Sequence, residues 1–172
     1  MATKAKIALV NAFLKLVEEN DYNKITVTNL VENCRISRQT FYYHFDDIDT
    51  MIEWAFENET KKICDCLTHT KLSDSADMFA SFFNRYDTLI TKAVKTSDCI
   101  KIYELIYKSF YVFLSKYLAD GQGSGKFKGD DIEFLLSYLA SASAGFIIRE
   151  AQKEEKNYAE VIKKLANLFK IA

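Results

Sequence analysis

Proline is absent from these 172 residues, and glycine occurs only five times. Both disfavour helix interiors, so nothing in the composition prevents the chain from being helical along most of its length. Sustained period-two alternation bounded by turn residues is missing too, which leaves strands without a signal. The four cysteines (Cys34, Cys64, Cys66 and Cys99) form no CxxC pair, and the N-terminus has no signal-peptide apolar core. Disulfides are therefore not expected, and the expected location is cytoplasmic. The longest uncharged run, between Glu133 and Arg149, is 15 residues long. That is short of the roughly 20 needed to cross a bilayer, so no membrane partner is expected. Neither sign of charge dominates: 23 basic against 24 acidic residues give −1, which argues against a nonspecific polyanion binder.

Catalytic equipment is equally sparse. The chain has two histidines and no GxSxG nucleophile motif, so no catalytic residues are assigned and an enzyme is not expected. Cys64, Cys66 and His69 form a CxCxxH string. On a helix, residues two apart point about 200° away from each other, so both sulfurs cannot hold one ion without unwinding. Neither a metal nor any other cofactor is expected.

What remains is a folded helical protein, with 49% hydrophobic and 27% charged residues. The most specific stretch runs from Thr26 to Phe45. Thr26 is a suitable N-cap, and Leu30, Val31 and Cys34 follow at helical spacing. Asn33 to Ile36 breaks that stripe, and Ser37 caps a second short helix. Its Phe41 and Phe45, four apart, predict a buried side. Its other side carries Arg38, Gln39, Thr40, Tyr42, Tyr43 and His44, nearly all hydrogen-bonding groups. Such a helix suits the major groove of double-stranded DNA. Arg38 can pair bidentately with guanine and Gln39 with adenine, and the Thr40 methyl can meet that of thymine. Tyr42, Tyr43 and His44 suit phosphates, and Thr28 would reach the backbone or an adjacent base.

This pattern resembles the TetR-type transcriptional regulators, whose N-terminal helix-turn-helix usually ends in Thr-aromatic/Leu-Tyr-x-His-Phe. Here that segment is Thr40-Phe41-Tyr42-Tyr43-His44-Phe45, and Thr26, Leu30, Val31, Ile36 and Ser37 also fall where the family expects them. Thr26 and Ser37 complete the expected DNA-contacting set. The resemblance is motif-specific over about residues 4–55 and architectural beyond. It implies a regulator, usually a repressor, that binds a near-palindromic operator as a homodimer through its last two helices. A small-molecule effector in the body would alter the separation of the two heads. Two positions depart from the pattern. Arg35 stands at a turn position where the family usually has Gly. Asp46, Asp47 and Asp49 occupy a region where many members place a Lys on the DNA backbone. These carboxylates oppose phosphate binding and support a second reading, a co-regulator that keeps the fold but works through a protein partner.

The expected fold is all-α: a helix-turn-helix head over 1–46 and a helical regulatory and dimerisation domain over 47–172. Residues 1–45 carry six basic and four acidic side chains, a net of +2, so the remainder carries −3. Helix one is expected over 3–20 with Ile7, Val10, Leu14 and Val17 inward, followed by the DNA-reading pair. Further helices are expected near 47–69, 73–94, 97–118, 130–153 and from Asn157 onward. A glycine-rich linker spans Asp120 to Gly129. Phe82, Phe83, Tyr86, Tyr103, Tyr107, Phe110 and Tyr111 lie on helices that often surround an effector cavity in the family, although aromatic stripes also make plain core. The run Ala140 to Gly145 suits close helix approach. It is expected at the dimer interface, the alternative being a tight crossing within the chain.

Overall fold

The structure, a computed structural model, describes residues 2–67, 72–119 and 130–169. The linker expected at 120–129 and His69 lie outside them. The described residues form α1 (Ala2–Glu19), a 3-10 turn (Tyr22–Lys24), α2 (Val27–Cys34), α3 (Arg38–Tyr42), α4 (Ile48–Cys66), α5 (Leu72–Ala93), α6 (Cys99–Ala119), α7 (Asp130–Ala151) and α8 (Tyr158–Phe169). The fold is all-α. Two compact units divide at Glu57/Asn58, inside α4 and later than the 46/47 boundary read from the motif. The head takes in the start of α4 because Trp54 packs 5.8 Å from the Phe45 ring.

In the head, α1 buries Leu9, Val10, Phe13, Leu16 and Val17. Of the four expected inward positions, Val10 and Val17 are buried, while Ile7 and Leu14 are only half-buried. The buried face is therefore rotated from the expected one, and Phe13, the largest apolar side chain of the helix, sits at its centre. Asp47 caps α4: its carboxylate accepts the Thr50 N–H at 2.7 Å, and its own N–H donates to the Thr50 hydroxyl at 3.1 Å.

In the body, α6 packs mainly on α7 and α5 on α8. Their core is a cluster of rings. Phe79 stacks on Phe110 at 4.9 Å and meets Phe113 edge-on at 5.0 Å, while Phe82 and Phe83 stack at 4.8 Å. Each such pair adds about 0.5–1.5 kcal/mol beyond the area it buries. The small run of α7 is used here: Ala140, Ser143 and Ala144 are buried within the chain, so these three serve an intrachain crossing. Gly145, by contrast, faces open space.

Polar contacts fix the turn between α7 and α8 from two sides. Asp87 of α5 accepts hydrogen bonds from Lys156 Nζ at 2.8 Å and the Tyr158 hydroxyl at 2.7 Å. Burial first, and then the Asp87 carboxylate, push the Tyr158 phenol above its usual range. From the other side, buried Glu150 accepts the Asn157 N–H at 2.6 Å and pairs with Lys153. Burial acts to raise the Glu150 pKa, but the hydrogen bonds from Lys153 and Asn157 outweigh it and the net shift is downward. A lowered folded-state pKa stabilises the fold above the ordinary carboxylate range, and that contribution disappears as pH falls through the folded value. Glu150→Gln is therefore expected to cost about 1–2 kcal/mol at neutral pH, since the solvent-exposed Lys153 end screens the pair. Urea unfolding of both proteins checks this: the gap should narrow in acid, and a gap independent of pH would refute it.

Candidate nucleic-acid interface

Capping explains why residues 26–45 fold as two short helices. The Thr26 Oγ1 accepts the Asn29 N–H at 3.3 Å, and the Asn29 side chain accepts the Thr26 N–H at 2.9 Å, a reciprocal capping box. Ser37 Oγ accepts the Thr40 N–H at 3.0 Å and lies 2.9 Å from the Thr40 hydroxyl. The helix-turn-helix caps thus engage the Thr26 and Ser37 side chains directly.

The turn between the helices closes on Arg35, which has φ 54° and ψ 41° and is the only non-glycine residue with positive φ among the described residues. The Ile36 N–H reaches the Val31 carbonyl at 3.0 Å and the Arg35 N–H reaches that of Glu32 at 3.2 Å. This is the Schellman arrangement, which favours glycine at the left-handed residue. Arg35→Gly is expected to stabilise the head by about 1 kcal/mol, because the Cβ no longer crowds the carbonyl. Slower amide exchange in α2 and α3 would register the gain, and faster exchange would contradict it.

α3 ends at Tyr42, short of the Phe45 expected on it from the sequence; Phe41 within it is fully buried, and Phe45, three residues beyond its end, nearly so. The last turn is tightened by His44 and Phe45 N–H groups that both reach the Phe41 carbonyl, at 2.8 and 3.0 Å. The other face is open: Arg38, Gln39 and Thr40 are exposed, Tyr42 is 54% exposed and Tyr43 82%. His44 is half-buried, its ring 5.0 Å from that of Tyr43. Two contacts had no local signal in the sequence. Arg38 Nη2 donates to Thr28 Oγ1 at 2.6 Å, joining α3 to α2 across ten residues. Lys6 of α1 places its ammonium 4.7 Å from the Phe45 ring centre and 5.3 Å from that of Trp54, a cation–π contact just beyond α3. Asp46, Asp47 and Asp49 are exposed just beyond it.

The aromatic residues of the body separate into two groups. Phe82, Phe83, Tyr86 and Phe110 are buried and packed ring against ring, and burial pushes the Tyr86 phenol up to about 12. Tyr103, Tyr107 and Tyr111 are half-buried along α6, with the Tyr107 hydroxyl 3.5 Å from that of Ser137. A groove of about 420 Å³ lies elsewhere, between α7 and α8, over Phe146, Val161, Leu165 and Leu168, with Arg149, Lys153 and Lys164 at its rim.

No protein-family model matches the chain. It is 25% identical to the HTH-type dhaKLM operon transcriptional activator DhaS of Lactococcus lactis subsp. lactis (strain IL1403), over 95% of this chain and 89% of that protein. Among solved structures, a dihydroxyacetone kinase operon activator DhaS aligns with a TM-score of 0.74 at 18% identity, covering 95% of this chain and 93% of that one. The fatty acid degradation regulator FadR from Bacillus halodurans aligns at 0.63 with 14% identity, covering 95% and 93%. A TetR transcriptional regulator from Streptococcus agalactiae 2603V aligns at 0.60 with 18% identity, covering 98% and 94%. Identities this low in the structural matches speak to fold. The chain shares the all-α fold of these regulators, and the helix-turn-helix motif of its head resembles the TetR-type pattern.

Proposed function

We propose that the chain is a homodimeric transcriptional regulator that binds a near-palindromic DNA site through α3. The observation that carries this reading is the two-sided character of α3 and the turn that follows it, over residues 38–45. Phe41 and Phe45 are held in the head, while Arg38, Gln39, Thr40, Tyr42 and Tyr43 are offered to solvent. Arg38 to Thr40 occupy its first turn, the part that enters the groove in helix-turn-helix complexes. Tyr42, Tyr43 and His44 follow at phosphate-contacting positions. The curated relative is named an operon activator, which favours activation over the repression suggested by the family resemblance alone. Effector control belongs to the same proposal: the half-buried Tyr103, Tyr107 and Tyr111 offer rings and hydroxyls to a small, partly apolar molecule. The dimer is proposed to form through α7 and α8.

Titration against duplex DNA from upstream of its own gene, at low and moderate salt, tests the reading. Specific binding should weaken steeply with salt, and Arg38→Ala should lose about 5- to 150-fold, the equivalent of one bidentate base contact. Affinity with no sequence preference would instead favour the co-regulator reading, which Asp46, Asp47 and Asp49 support through their repulsion of phosphate.

A further inference from the structure

The Thr28–Arg38 hydrogen bond joins a half-buried threonine of α2 to an exposed arginine of α3, at the surface of the head. An exposed hydrogen bond adds little to stability, and fixing an arginine costs side-chain freedom. The same bond is useful if Arg38 must be aimed before DNA arrives, because the ordering cost is then met in the free protein. Thr28 is suited to this. It is β-branched, so its χ1 is stiff, and it lies in the first turn of α2, held inside the Thr26–Asn29 capping box. Its Oγ1 accepts from Arg38 Nη2 at 2.6 Å, which leaves its own O–H free of that bond and able to donate. Accepting from a cation also makes that O–H a stronger donor. The guanidinium retains its remaining N–H groups, enough for the O6 and N7 acceptors of guanine.

Building on the DNA-binding reading above, we propose that Thr28 is a positioning residue that aims Arg38 at a guanine edge and, through the same hydroxyl, ties that base contact to a backbone phosphate. Readout and register are then coupled: Arg38 discriminates best when the Thr28 hydroxyl is seated on the phosphate. A residue acting as a simple phosphate contact would weaken every duplex alike. A residue acting only as a clasp between α2 and α3 would alter head stability and leave base preference unchanged.

The test begins with selection by the full-length wild-type chain from a pool of duplexes with randomised centres. Affinities for the selected site and for its single-base changes are then measured for wild type, Thr28→Val, Thr28→Ser, Arg38→Ala and Thr28→Val/Arg38→Ala. Valine keeps the shape and removes the hydroxyl. It should reduce the guanine preference roughly tenfold at one position in each half-site, while preference at other positions persists. Serine should restore most of it. In the Arg38→Ala background, Thr28→Val should have no further effect on preference at that position. Uniform weakening of all duplexes by Thr28→Val, or additive effects of the two substitutions on preference, overturns the positioning role alone. A wild-type chain that enriches no sequence overturns both this role and the DNA-binding reading.

Discussion

Phe41→Ala is expected to abolish specific DNA binding while the body remains folded. Phe41 is 0% exposed, and its ring lies 6.0 Å from that of Phe45 and 5.5 Å from that of Tyr42. Truncating a buried Phe costs about 3–5 kcal/mol, from lost transfer energy and the cavity left behind. The head ends at Glu57, and a unit of that size has a total stability of only a few kcal/mol, roughly 0.05–0.15 kcal/mol per residue. One substitution therefore removes most of what holds α3 in place. The body core around Phe79, Phe83 and Phe110 does not depend on that ring. Amide exchange should show protection lost in α1 to α3 and retained in α5 to α8. Tyr42→Ala is the control, since its side chain is 54% exposed and its loss should leave head protection intact. Wild-type DNA affinity in Phe41→Ala would mean that α3 is not the reading element.

The parts of this molecule that the sequence makes legible are those fixed by neighbours along the chain. Thr26, Ser37 and Asp47 are caps because a short oxygen-bearing side chain three residues before an orphan N–H has a local partner. Arg35 could be recognised as left-handed from its place in the turn. Phe41 and Phe45 could be placed inside because four residues make one turn. The failures begin where packing between elements decides. In α1, the expected stripe through Ile7, Val10, Leu14 and Val17 and the one through Leu9, Phe13 and Leu16 are both helical in period, and Val10 and Val17 are buried in either case. Burial favours the second, which carries the larger ring. In α7, the small run could serve two crossings, and α6 occupies one of them. The head boundary lies inside α4 because Trp54 reaches back to Phe45, a contact without periodic signature. The link from Thr28 to Arg38 and the position of Lys6 likewise depend on how helices cross.

The other large effect concerns the outer face of α7 and α8. In the most apolar 18-residue window of α7 only 28% is buried, although its mean hydropathy is 1.4. Phe134 is 75% exposed, Tyr138 62%, Phe146 50% and Leu168 54%. Phe146 and Leu168 line one groove, and exposed large apolar side chains of this kind are the usual sign of a surface that meets a partner. A second copy of the same face is the proposed cover, related by a two-fold axis that also supplies two recognition helices to successive major grooves about 34 Å apart. The combined substitution Phe146→Arg/Leu168→Arg puts new cations beside Arg149, Lys153 and Lys164, and the two-fold axis doubles the repulsion. Both positions are half-exposed, so the subunit itself should keep its fold. Sedimentation is then expected to report a monomer for the variant and a dimer for the wild-type chain. Affinity for a two-half-site duplex should fall to that for a single half-site, a loss on the order of 10²–10⁴-fold because the second contact is no longer intramolecular. A variant that remains dimeric would move the interface elsewhere. A wild-type chain that binds one half-site as tightly as two would remove the reason for a dimer on DNA.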